Sequence, residues 1–212
     1  MWLISGHRPV TYVIPPVLSF VSIFDLPAMP ILPPEPDCFP DDLLAQPESL
    51  ESQWWLLYTR TRQEKKVVRQ LRDAEIGHYA PMIPNRMRSP AGRIRTSFVP
   101  LFPTYVFLRG GDEARHEAIC TGCVLKAVEI LEIEQLVEDL TQIRNLVEMG
   151  VPMTIESRLE PGTMVRVKNG SFRGYEGTVI RRENERRLLV AVRFMEQGVS
   201  VKLEDCQLEM IG

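Results

Sequence analysis

The sequence predicts an α+β fold: an antiparallel sheet flanked by helices, then a small SH3-like β-barrel, with a disordered extension in front. Three observations predict it. Strand-like apolar runs alternate with amphipathic helical stretches from Trp54 to Gly150, whereas from Thr163 onward only short alternating strands remain. Ten of the 17 prolines crowd into residues 1–53, where no helical or strand period survives them. The expected organisation is therefore an acidic, proline-rich extension (1–53), an α+β domain (54–150), a linker (151–162) and a β domain (163–212).

Within the α+β domain, "WWLLYTR" is apolar over six residues and then turns charged, as a buried strand does. Thr61 precedes Glu64 by three residues, the spacing of a capping box, and opens "TRQEKKVVRQLRDAEI". Val67, Val68 and Leu71 mark the buried face of that helix, and Arg62, Lys66 and Arg69 a basic one. "HYAPMI" reads as a short strand. "PNRMRSPAGRIRTSF" reads as a basic hairpin turning at Pro90-Ala-Gly92, with Arg86, Arg88, Arg93 and Arg95 on its arms. "TYVFLR" and "VLKAVEI" are further strands separated by a short helix from Asp112, and "IEQLVEDLTQIRNLVEMG" is a helix ended by Gly150. In the β domain five strands follow: "MVRVK", "EGTVIRR", "RLLVAVRF", "VSVKL" and "CQLEMI".

Charge is segregated rather than absent. The formal net charge is -3, yet residues 1–53 carry one basic and seven acidic side chains, and residues 54–109 carry eleven basic and three acidic ones. The first segment is at -6 and the second at +8, so the second is a candidate polyanion-facing surface.

Other classes find little support. Four cysteines in 212 residues do not make a disulfide framework, and Cys120 and Cys123 lack a second pair or spaced histidines, so they read as incidental to a helix-to-strand turn. His7, His78 and His116 are scattered, and no nucleophile elbow or phosphate loop is present, which argues against an enzyme and against any cofactor or metal. The apolar run from Val10 to Phe24 is too short to span a bilayer and is broken by Pro15 and Pro16. A cytoplasmic protein with no membrane partner is the expectation.

"LEPGTMVRVKNGSFRGYEGTVI" resembles a KOW motif, in which Gly170 and Gly174 allow a tight turn and Gly177 a strand bulge. With "WWLLYTRTRQEKKV", "YAPMIP" and "PLFPTYVFL" ahead of it in that order, the chain resembles the NusG family of transcription elongation factors over residues 54–211. "WWLLYTR" and "PLFPTYVFL" are especially similar to its specialised RfaH-like antiterminators. Thr104 departs from the family's usual Gly, and the extension has no counterpart in the family's usual plan.

The resemblance implies an NGN domain that binds the clamp helices of the largest RNA polymerase subunit, followed by a KOW domain that recruits another factor, whether Rho, a small-subunit ribosomal protein or neither. It implies polymerase-binding positions at Tyr58, Phe102, Tyr105 and Phe107. Arg60, Arg62 and Gln63, with Arg86, Arg88, Arg93 and Arg95, are nucleic-acid candidates, reaching the non-template DNA strand. Phe172 and Arg173 are candidates for the KOW partner, a plug of the barrel end being the alternative for Phe172. The function expected is transcription elongation control without enzymatic chemistry, by suppression of pausing or termination. A ribosome-associated or free RNA-binding KOW protein is the rival.

Overall fold

The computed structural model describes residues 35–46, 52–90, 92–156, 158, 162–182, 185–204 and 206–211. The expected disorder of residues 1–34 lies outside them. The strands are β1 (Cys38–Phe39), β2 (Trp54–Thr59), β3 (His78–Tyr79), β4 (Met82–Arg88), β5 (Ile94–Pro100), β6 (Tyr105–Arg109), β7 (Val124–Ile130), β8 (Met153–Glu156), β9 (Thr163–Val167), β10 (Glu176–Arg182), β11 (Glu185–Val192), β12 (Gln197–Lys202) and β13 (Leu208–Met210). The α-helices are α1 (Glu64–Asp73), α2 (Asp112–Cys120) and α3 (Ile133–Glu148).

The first sheet is five-stranded and antiparallel, in the order β1-β3-β6-β2-β7. Its interior strand β2 is buried on both faces because alternate side chains point oppositely and Trp54, Trp55, Leu56 and Leu57 are all large and apolar. Trp55 and Leu57 pack with Val67, Val68 and Leu71 of α1 and Ala118 of α2. Trp54 and Leu56 pack on the other face with Leu136, Leu140 and Ile143 of α3, a spacing that places them on one side of the helix. The paired strands β4 and β5 make the expected hairpin as a separate two-stranded sheet.

Three sequence expectations are corrected. The extension to residue 53 is not wholly without structure, since Cys38–Phe39 forms the edge strand β1 and Leu43 and Leu44, in a short 3-10 helix, are buried in the core. Apolar residues between the prolines supply that anchor. Asp37 reinforces it, its carboxylate accepting from the Met82 amide at 3.2 Å and its carbonyl from Ala80 at 2.7 Å. The presumed linker contains β8, which pairs with β12 and makes the second sheet six-stranded, in the order β13-β9-β10-β11-β12-β8. Finally, the Thr61–Glu64 capping box does not form: Gln63 is the N-cap residue without a side-chain cap bond, and Glu64 is used elsewhere.

In the six-stranded sheet Gly170 and Gly174 have the positive φ expected of the turn, 82° and 89°. Gly177 does something different from the expected bulge. It pairs in regular register with Val165, and a Cβ there would lie 2.4 Å from the Leu189 carbonyl oxygen, so glycine is required by close strand approach. No described helix is long and apolar enough to cross a membrane.

The anchored segment 35–46, hereafter the strap, is expected to contribute measurably to stability. Leu43 is fully buried, so Leu43→Ala should cost about 2–5 kcal/mol in equilibrium denaturation, whereas a passive tail would show no effect. Beneath the strap, His78 stacks on Phe39 with ring centroids 6.0 Å apart and is wholly buried. Burial pushes its pKa down from 6.5 to about 4, so the fold holds it neutral while the unfolded chain takes up a proton. Stability should therefore be full above pH 6.5 and fall by about 3 kcal/mol as pH drops towards 4, a slope that His78→Leu removes.

Candidate partner-docking and nucleic-acid surfaces

The aromatic candidates divide by depth. Phe102 and Phe107 are buried core residues, whereas Tyr58 and Tyr105 are half-buried and form an edge-on pair with centroids 5.2 Å apart. Strand register explains the pair, since Tyr58 of β2 lies directly opposite Tyr105 of β6 on the face that α3 covers. On the other side of β2, Tyr58 is opposite Lys126, whose ammonium lies 5.7 Å from the Tyr58 ring centroid. The Tyr105 hydroxyl accepts a 3.4 Å hydrogen bond from the Gln197 amide of β12. Lys126 and Gln197 escaped the sequence reading because only strand register and domain packing bring them to the tyrosines.

The turn entering β6 is held under strain. Thr104 has φ 71°, a left-handed conformation that a β-branched residue adopts at a cost, and this is where the resemblance expects Gly. Two bonds fix it. The buried Glu64 carboxylate accepts the Thr104 amide at 2.7 Å, and the Thr104 carbonyl accepts the Thr59 amide at 2.8 Å. Glu64 thus links the start of α1 to the turn that aims Tyr105, which is why it does not cap its own helix.

Arg60, Arg62 and Gln63 lie at the junction of β2 and α1, as expected, with Arg60 and Arg62 exposed. The Arg60 amide bonds the Cys123 carbonyl at 2.9 Å and the Gln63 amide bonds the Arg60 carbonyl at 3.0 Å, so the backbone there is fixed while the guanidinium groups face water. Arg86, Arg88, Arg93 and Arg95 are exposed along the β4–β5 hairpin, in company with exposed Met87 and Ile94.

In the six-stranded half, Phe172 is buried and packs edge-on against Tyr175 at 6.1 Å, and Arg173 beside it is exposed. Cys120 and Cys123 sit in a helix-to-strand turn, the first exposed and the second buried. Among the described residues there is no group of three or more His, Cys, Asp or Glu placed to hold a metal ion.

The β domain packs on α3 through a shared apolar cluster, to which polar contacts are added. Asp139, 2% exposed, accepts the Arg193 backbone amide at 2.9 Å and the Gln135 side chain at 3.0 Å. Burial raises its carboxyl pKa, opposed by those bonds and by the Arg193 charge. Gln142 accepts the Glu176 amide at 3.1 Å.

Residues 52–160 match the family model described as "NusG: Transcription termination factor nusG". The chain belongs to the NusG family. Among solved structures, one entitled "Domain interaction in Thermotoga maritima NusG" is 19% identical, over 77% of this chain and 99% of that one, with a TM-score of 0.41. A chain of the MjSpt4:Spt5 complex is 16% identical, over 74% of this chain and 97% of that one, with a TM-score of 0.24. No curated protein matches the chain. Family membership makes this protein a transcription factor of a non-enzymatic kind.

The Thr104 turn yields a two-sided test. Thr104→Gly should raise stability by up to about 1 kcal/mol by relieving the left-handed strain, while Glu64→Ala should lower it by about 1–3 kcal/mol because a buried amide loses its acceptor. Urea denaturation of both variants checks the assignment.

Proposed function

We propose that this NusG-family protein is a transcription elongation regulator that docks on the clamp helices of RNA polymerase through the Tyr58–Tyr105 face of its NGN domain. The observation that carries this reading is the half-exposed tyrosine pair, set on rigid strands at the edge of an otherwise closed apolar face. Aromatic side chains of this kind, immobilised by packing, make binding hot spots at low entropic cost. Phe102 and Phe107 support the pair from beneath. A polymerase helix docking there displaces the Gln197 side chain from Tyr105.

Arg60, Arg62 and Gln63 extend from the same end of β2 and are assigned to the exposed non-template DNA strand, with the hairpin arginines as a second basic contact. Bridging the polymerase cleft in this way favours the closed, elongating clamp over the paused state. A differential affinity of ~1 to 3 kcal/mol reduces pausing about 5- to 150-fold. The strands from β9 onward serve as the KOW domain, offering Arg173 and the exposed neighbours of Phe172 to Rho or a small-subunit ribosomal protein. "WWLLYTR" and "PLFPTYVFL" favour an RfaH-like operon-specific antiterminator over a general factor.

The test uses the full-length chain and purified polymerase. Tyr58→Ala and Tyr105→Ala should each weaken binding by about tenfold or more and abolish the effect on pausing in a single-round transcription assay. Unchanged affinity in both well-folded variants refutes the docking face.

A further inference from the structure

The acidic extension and the basic helix meet in space. Glu35 reaches Arg69 of α1 through two bonds, 2.9 Å to Nε and 2.8 Å to a terminal nitrogen, the forked geometry with which an arginine also holds a phosphate. Arg72 donates to the Pro36 carbonyl at 3.3 Å. The Arg69 bond, helped by the charges of Arg69, Lys65 and Arg72, holds the Glu35 carboxyl below its usual range. Lys66 and Arg69 lie three residues apart on the exposed side of α1, and exposed Arg62 precedes the helix, so the basic stripe begins at the junction and runs onto the helix. Among the described residues, Arg62 and Lys66 have no ion-pair partner, so Arg69 is the one position of the stripe already occupied, and by an internal anion. Asp73 and Glu75 are the acidic groups at its far end.

Position and charge both point to competition. From Glu35 to Glu51 the chain has six acidic and no basic residues, and the strap runs from the Arg69 end of α1 to the base of the basic hairpin, where Asp37 holds the Met82 amide. An isolated surface pair whose partners are 54% and 39% exposed is easily exchanged for another anion and is screened by salt. No aromatic side chain lies along the stripe, so it suits a phosphate backbone rather than stacked bases.

We propose that Arg62 at the junction, with Lys66 and Arg69 of α1, forms a phosphate-binding track for single-stranded DNA, and that Glu35 of the strap is a built-in competitor occupying its Arg69 end. This rests on the reading of Arg60, Arg62 and Gln63 as DNA contacts and extends it from the helix start to its last turns. The strap thereby sets the salt and DNA concentrations at which the whole track engages.

Fluorescence anisotropy of the full-length protein with a fluorescein-labelled single-stranded oligodeoxynucleotide about 12 nucleotides long tests this. Glu35→Gln should tighten binding about 3- to 10-fold at low salt, and that gain should vanish in the Arg69→Ala background. Lys66→Ala should weaken binding and reduce the slope of log affinity against log salt by about 0.7. Glu138→Gln, the same charge change on exposed α3 surface, should leave affinity within about twofold. An unaltered affinity in Glu35→Gln, or equal gains in Glu35→Gln and Glu138→Gln, overturns the proposal, as does binding of RNA but not DNA. Absence of DNA binding by every form, with polymerase binding intact, overturns the track and leaves the docking face standing. Loss of polymerase binding with the Glu35 effect intact does the reverse.

Discussion

A strand that is apolar on both sides must be covered on both sides, and the remainder of this structure follows from meeting that demand for β2. One face is closed simply, by α1 and α2 over Trp55 and Leu57. The other has only α3, and a single helix of 16 residues cannot cover five strands. The remaining apolar area is taken up by Leu101 and Phe102, by Leu43 and Leu44 of the strap, and by the β domain, which shares one buried cluster with α3. Each buried square ångström is worth about 25 cal/mol, so even small additional covers are favourable. Coverage runs out at Tyr58 and Tyr105, whose hydroxyl-bearing rings tolerate a wet edge. The candidate docking surface is thus the unfinished end of a burial problem.

The helix that does most of this covering is also the one that the strap and the β domain both hold. Arg144 of α3 donates to the Asp41 carbonyl and to the Cys38 sulfur of the strap, and Asp139 on the same helix holds the Arg193 amide of the β domain. These polar contacts give direction to an interface that is also apolar, since α3 and the β domain share one buried cluster, and exposing that cluster to water would be costly.

Much of the architecture was readable from alternation and periodicity alone. "WWLLYTR", "TYVFLR", "VLKAVEI" and the 133–148 helix appear where their patterns place them, because each is long and strongly periodic. What could not be read depends on distant partners. Glu64 looked like a cap residue by spacing, but a carboxylate chooses the better-placed donor, and the Thr104 amide forty residues away is that donor. β8 is four residues in a segment with no strong alternation, formed because β12 offers it a free edge. The strap is harder still: its prolines hide a two-residue strand whose stability comes from Asp37, Leu43 and Leu44 meeting a surface built later in the chain. At the site, residue types identified the tyrosines and arginines as candidates, but only burial separates Tyr58 and Tyr105 from Phe102 and Phe107.

Thr104 shows how such departures are tolerated. A glycine at a left-handed position costs entropy in the unfolded chain, whereas threonine restricts that chain but pays locally through its Cβ. Here the local cost is offset by two backbone hydrogen bonds that act only if the residue stays left-handed, one to Glu64 and one to Thr59. Because Thr104 directly precedes Tyr105, the same two bonds fix the direction in which β6 begins and hence the angle at which Tyr105 meets Tyr58. Strain at this position is therefore coupled to the geometry of the tyrosine pair, and a more permissive residue would gain stability while loosening the candidate surface.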